Sequence, residues 1–317
     1  MNARKLLLAF DGSAQSLNAA SLCWDLASKH PIEITAQHVV NTVGLWSFLD
    51  FELPGLTGSG PYIAARDNMA RELRSIGETL VSIYQAKSEM HGVYDQCVLD
   101  EGDPVTEIMR RSKDNDIVVI GHHHYQSPAK AGSDGQNEQF SRHADHHSVA
   151  ETLVGKLNKP LLVVQAQGIP WQRLELILHG NEGVELSFRA AAELANFLEL
   201  PLEVSSYFRG EEKYQQLPDL TEQLKETALL YPNLDLKTRR AKLWPIDGDA
   251  HQAEVACREG TLVVIPTFAA GEGRRSAFGT MPELFVRHSG LSALLFWPAD
   301  TTNAEPTLLG AAASSAK

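Results

Sequence analysis

The sequence predicts an α/β protein built from two tandem open parallel sheets of five strands each, with helices on both faces, and three observations carry that prediction. Short apolar runs bounded by turn residues alternate with helical patterns. Some runs, Ile117 to Ile120 among them, are apolar without interruption, as strands buried on both faces require. The third observation is repetition. Three blocks recur in the same order: residues 16–38 in 187–208, 102–121 in 248–266, and 147–164 in 279–297.

In chain order, Leu6 to Phe10 form the first strand, ended by Asp11, so the apolar start is a strand and not an export signal. Ser13 is placed to cap a helix whose apolar stripe is Leu17, Ala20, Cys23, Trp24 and Ala27. Pro31 stops that helix and opens a second strand through Val40. Asn41 to Pro61, with Trp46, Phe48 and Phe51, is too long and apolar for a simple turn; it reads as a packed loop or interdomain contact, or as a ligand lid, leading into a second helix. Val93 to Leu99 and Ile117 to Gly121 supply the next strands. Ser148 with Glu151, and Thr280 with Glu283, have the spacing of capping boxes ahead of the last helix of each repeat. Residues 1–168 and 169–298 are the expected domains, joined through a short linker at 166–173, and 299–317 an expected disordered tail.

Composition limits the function classes. The chain has 317 residues, 43% hydrophobic and 21% charged, with 40 acids against 28 bases and a formal charge of -12. Such charge repels nucleic acid and anionic membranes, and no apolar stretch reaches bilayer-spanning length. A cytoplasmic protein without nucleic-acid or membrane partners is expected. Cys23, Cys97 and Cys257 have no metal-ligand spacing and read as reduced. The chain lacks a phosphate-loop motif, a dinucleotide fingerprint, a hydrolase elbow and a zincin motif, so binding is expected before catalysis.

Ligands of open parallel sheets sit beyond the carboxyl ends of the strands, where neighbouring crossovers depart to opposite faces. That rule selects Asp11, Gly12 and Ser13 after the first strand and Gly121, His122, His123 and His124 after the fourth. The capped helix starts at Ser148–Val149 and Gly279–Thr280 suit a phosphate, or serve as caps alone.

At these residues the chain resembles the universal stress protein family, in its tandem form, over residues 4–298. The resemblance implies a flavodoxin-like strand order, a stress-response role and an ATP site. In that site an acid after the first strand meets the adenine, and a GxxG, nine residues and Gly-Ser or Gly-Thr hold ribose and phosphates. Asp11 fits the acid and Gly121 the first glycine, with Gly12, Val40, Ser148 and Val149 completing the first site. His124 stands at the second glycine and His147 precedes Ser148. In the second repeat Glu182 is the aligned acid, Pro266 and Ala269 replace the glycines, and Gly279–Thr280 are intact. The expected ligand is ATP or another adenine nucleotide in the first repeat, with slow ATP hydrolysis as the alternative activity. Expected partners are the two repeats as a pseudo-dimer, a homodimer, and an unidentified signalling protein.

Six of the twelve histidines lie in an insertion at 122–147: His122, His123, His124, His143, His146 and His147. His143 and His147 share a face if that stretch is helical, a geometry suited to Zn, with Asp134 or Asp145 adding oxygen. A solvated loop and a pH sensor are the other readings of the cluster.

Overall fold

A computed structural model describes residues 4–43, 60–122, 148–165, 170–179, 184–208, 224, 227–231, 234–242, 244–246, 250–252, 260–267, 286 and 293–298. The chain divides into two compact units, Met1–Gly121 and His122–Lys317.

The first unit runs β1 (Arg4–Ala9), α1 (Ala14–Lys29), β2 (Ile32–Asn41), α2 (Gly60–Met90), β3 (Gln96–Gly102), α3 (Pro104–Ser112) and β4 (Ile117–Gly121). Its strands are parallel in the order β3-β2-β1-β4. The chain steps outward from β1 to β3 and then back past β1 to β4. Right-handed crossovers therefore put α3 on the face opposite α1 and α2. The centre of the sheet is buried on both faces: Leu6, Leu7, Leu8, Val118 and Val119 are all core.

Local chemistry explains the elements. Ser13 caps α1 as expected, and the helix stops at Lys29 ahead of Pro31. The buried stripe of α1 is Ser16, Ala19, Ala20, Cys23 and Trp24; Leu17 and Ala27 flank it half-buried, a rotation of the expected face. Helix α3 begins with an Asp103 cap and Pro104, whose missing N–H costs nothing at that position. Strand β3 starts later than the apolar run suggests, because Asp95 turns inward to accept hydrogen bonds from α2.

In the second unit lie α4 (Val149–Lys156), β5 (Leu161–Val164), β6 (Arg173–His179), α5 (Val184–Phe197), β7 (Leu202–Phe208), β8 (Leu236–Lys242), β9 (Trp244–Ile246), β10 (Ala250–Gln252), β11 (Thr261–Thr267) and β12 (Ala293–Pro298). The sheet order is β5-β12-β11-β6-β7-β8, and β9 and β10 form a separate hairpin. From β8 to β11 the order repeats the β3-β2-β1-β4 sequence of connections, again parallel. Strand β5, expected to close a first five-stranded sheet, pairs antiparallel with β12, Leu161 opposite Phe296 and Val164 opposite Ala293. The strand pairing thus does not part the chain into two separate five-stranded sheets.

No helix among the described residues is long and apolar enough to cross a membrane.

Candidate functional site

The last backbone rung at the end of β1 is Phe10 N–H to the Gln37 carbonyl, at 2.8 Å. The next residue, Asp11, folds its carboxylate back, and Oδ1 accepts the Ser13 N–H at 2.9 Å. Ser13 Oγ in turn accepts the Ser16 N–H at 3.2 Å, and the Ser16 hydroxyl donates to the Ser13 carbonyl at 3.0 Å. Partial burial of the carboxylate pulls the Asp11 pKa upward, but hydrogen bonding to the Ser13 hydroxyl and N–H outweighs it. The net result lies below the ordinary carboxylate value. Asp11 is thus an exposed, ionised carboxylate at the positive end of α1.

The two glycines of this corner are needed for different reasons. Gly12 has φ +80°, and a Cβ there would stand 2.5 Å from Leu80 Cδ2 of α2. Gly121 is not in the left-handed region; its role is close approach. A Cβ on Gly121 would lie 2.5 Å from both the Gln15 carbonyl oxygen and the Ser16 nitrogen. The bare backbone of β4 therefore carries the first turn of α1, and Asp11, Gly12 and Gly121 converge there.

Strand β2 outruns β1, pairing with it only to Gln37 while continuing beside β3 to Asn41. In parallel pairing a residue's N–H and C=O point to one side, so Val39, two after Gln37, presents its backbone where β1 has ended. The Val40 side chain is core: it is buried, with Cγ2 3.2 Å from where a Cβ on Gly77 of α2 would stand. His38 is a residue that motif reading passed over. Its Nδ1 lies 2.8 Å from the Phe10 carbonyl and fastens the chain just beyond β1. An imidazole near the carboxyl end of a strand, beside Val39 and Val40, was the signal available.

On the opposite face, Asp100 binds α3 to the sheet. Arg111 grips it through Nε and through Nη2 at 2.8 Å, and Gln37 donates to it at 2.7 Å. The Arg111 hydrogen bond, against the pull of burial and with help from Gln37, keeps the Asp100 carboxyl below its ordinary pKa.

Within the second unit Ser148 caps α4 with a complete box. Its Oγ accepts the Glu151 N–H at 3.1 Å, and the Glu151 carboxylate accepts the Ser148 N–H at 3.3 Å. Val149 opens the helix, where backbone N–H groups lack intrahelical acceptors. Glu151 is buried, so its side chain already occupies part of this helix start. His122 N–H donates to the Val164 carbonyl at 2.8 Å. Pro266 is buried in β11 opposite Trp297. Glu182, Ala269, Gly279, Thr280, His123, His124, His143, His146 and His147 lie outside the described residues, as does the apolar segment 44–59. Among the described residues no cluster of metal-ligating side chains occurs, and the expected histidine site is thus not addressed beyond His122.

The sequence profile of the universal stress protein family matches residues 2–165. No curated protein matches the chain. Among solved structures, a universal stress protein from Archaeoglobus fulgidus is 16% identical, with 93% of this chain and 96% of that one covered and a TM-score of 0.62, a likeness of fold. A universal stress protein of Pseudomonas aeruginosa is 13% identical, covering 93% of each chain with a TM-score of 0.43. A family protein from Arabidopsis thaliana, solved with AMP bound, is 15% identical, covering 51% of this chain and 91% of that one with a TM-score of 0.32.

Proposed function

Because the chain belongs to the universal stress protein family, we propose that it is a binding and signalling module of the stress response that takes an adenine nucleotide, ATP foremost, in its first unit. The observation that carries this reading is the convergence of Asp11, Gly12 and Gly121 on the first turn of α1, beside the overhanging end of β2. An ionised carboxylate that accepts donors suits the exocyclic amine of adenine. Val39 adds backbone groups of the kind that read a base edge.

The same connection order in both units supports a reading as two repeats, 1–168 and 169–298. The second is the poorer nucleotide binder, since Pro266 brings a ring and no N–H where Gly121 brings neither obstacle. Titration of a fluorescent ATP analogue into the full chain tests the proposal, using wild type, Asp11→Asn and Glu182→Ala. Asn keeps an acceptor for the Ser13 N–H and removes the charge. Weakened binding in Asp11→Asn alone is expected. Loss confined to Glu182→Ala moves the site to the second repeat, and no binding to wild type overturns the reading. Phosphate release during the titration identifies slow hydrolysis.

A further inference from the structure

Helix α2 carries a line of exposed apolar side chains at strict seven-residue spacing. Met69, Ile76, Ile83 and Met90 are 41, 55, 42 and 85% exposed. The helix meets its own sheet with a different face, where Gly77, Tyr84 and Ser88 are buried. Scattered apolar residues on a surface are ordinary, but four in register along about 31 Å of helix form a seam. Three residues beyond each of the first three stand Glu72, Thr79 and Ala86, all exposed. The Thr79 hydroxyl donates to the Ser75 carbonyl at 2.9 Å, so it needs no partner across a seam.

We propose that α2 pairs antiparallel with α2 of a second copy of this chain, about a two-fold axis passing beside Thr79 and Leu80. Sequence symmetry allows either direction, since a parallel pair in register sets each residue beside its own copy and reversal keeps the stripe matched too. The stripe reads Met, Ile, Ile, Met from either end, so reversal sets Met69 level with Met90 of the second copy and Ile76 level with Ile83. Charge selects the antiparallel direction. Reversal sets Glu72 level with Lys87, and sets no other charge from Arg66 to Glu89 level with a charge. A parallel pair would put Glu72 beside Glu72 and Lys87 beside Lys87. The resulting contact is isologous and closes at two copies. One helix pair of this length buries on the order of 600–1,000 Å² in total, small for a permanent dimer, so association depends on concentration with a Kd on the order of 10 µM. The inference rests on α2 alone and is independent of nucleotide binding.

Sedimentation equilibrium of the full chain from about 1 to 200 µM brackets that expected dissociation constant. A monomer–dimer equilibrium is expected in wild type and a shift of tenfold or more, on the order of the loss of central anchors, in Ile76→Glu/Ile83→Glu. Both positions are exposed, so far-UV circular dichroism should stay unchanged. Glu72→Lys should weaken the dimer and Glu72→Lys/Lys87→Glu should restore it. Under oxidation, a mixture of Met69→Cys and Met90→Cys chains should cross-link to each other and neither to itself. A monomer at every concentration, a dimer indifferent to the Ile76/Ile83 change, or self-linked Met69→Cys would each overturn the proposal.

Discussion

Tyr84 donates its phenolic hydroxyl to the carboxylate of Asp95 inside the first unit, tying the end of α2 to the start of β3. The same carboxylate accepts the Ser88 hydroxyl at 2.5 Å and the Trp24 indole N–H at 3.4 Å, while that indole also donates to Tyr84 Oη at 3.2 Å. Trp24 stacks on His91 with centroids 4.7 Å apart, and Phe10 meets the Tyr84 ring edge-on. Three helix side chains thus satisfy one carboxylate that a plain apolar core would not tolerate. Removing the acceptor breaks all three bonds and orphans the Tyr84 hydroxyl, leaving the Ser88 hydroxyl to the Val93 carbonyl at 2.6 Å and the indole to Tyr84 Oη, whereas removing one donor leaves two bonds in place. Asp95→Ala should therefore cost about 3–4 kcal/mol, and Tyr84→Phe about 1–2 kcal/mol, by urea denaturation. Equal effects would show that the network is not centred on Asp95.

Alkali should weaken the fold through the same region. Burial, and then the Asp95 carboxylate, push the Tyr84 phenol well above its usual range, and they push the Cys97 thiol up to about 12. Both groups stay protonated in the folded chain while the unfolded chain ionises from about pH 8.5 to 10. Their contribution is complete below the unfolded values and is lost as pH rises toward the folded ones. Unfolding free energy should fall above about pH 8.5, less steeply in Tyr84→Phe/Cys97→Ala. An unchanged slope in that variant would assign the loss elsewhere.

Acid acts on the other face. The Arg111 hydrogen bond holds Asp100 below its ordinary pKa, so its stabilisation is present above about pH 4 and lost as pH falls through the folded value. The partners keep some contact with water, which limits the loss. Asp100→Asn should cost about 1–2 kcal/mol at pH 7 and less at pH 2.5, because the advantage of the ionised carboxyl shrinks as pH falls toward its folded value. The comparison needs only chemical denaturation at the two pH values.

What the sequence made legible follows from what one-dimensional patterns encode. The apolar runs located β1, β2, β4 and β5, and the cap chemistry of Ser13, Ser148 and Glu151 located helix starts, because strand burial and capping are local. The direction of β5 was not legible: Leu161 to Val164 is buried throughout, and an unbroken apolar strand carries no mark of parallel or antiparallel pairing. Nor was the Asp95 network, since its donors come from residues 24, 84 and 88, distant or on another element. At the candidate site the acid and glycines were legible, but the reason for Gly121 was not. Its constraint comes from α1, over a hundred residues earlier in the chain.

A strained helix end offers a stabilising change. Glu199, just after α5, has φ 56°, the left-handed conformation that L side chains adopt at a cost. The turn is fixed around it, with Leu200 N–H donating to the Ala195 carbonyl at 2.8 Å and Leu198 N–H to the Leu194 carbonyl at 2.9 Å. Such helix ends favour glycine. Glu199→Gly should stabilise the second unit by about 0.5–1 kcal/mol, read as a rise in thermal midpoint. A fall would mean that the Glu199 side chain contributes more than its backbone costs.

The last expectation separates architecture from binding at Gly121. An alanine there has nowhere to go: its Cβ would overlap the Gln15 carbonyl oxygen and the Ser16 nitrogen, and these are backbone atoms in the first turn of a capped helix. Relief requires moving α1 off β4, and with it Asp11, whose carboxylate is bonded to Ser13 at the same corner. Gly92 supplies the contrast. It has φ +71° with nothing within 4 Å of a Cβ, so Gly92→Ala should cost only the conformational penalty, about 1 kcal/mol. Gly121→Ala should cost about 2–4 kcal/mol, as overpacking against an unyielding neighbour does, and it should do so without nucleotide. Denaturation of both variants in ligand-free buffer decides the matter. If Gly121→Ala is as mild as Gly92→Ala, β4 does not carry α1 as described, and any nucleotide defect in that variant would belong to the ligand itself.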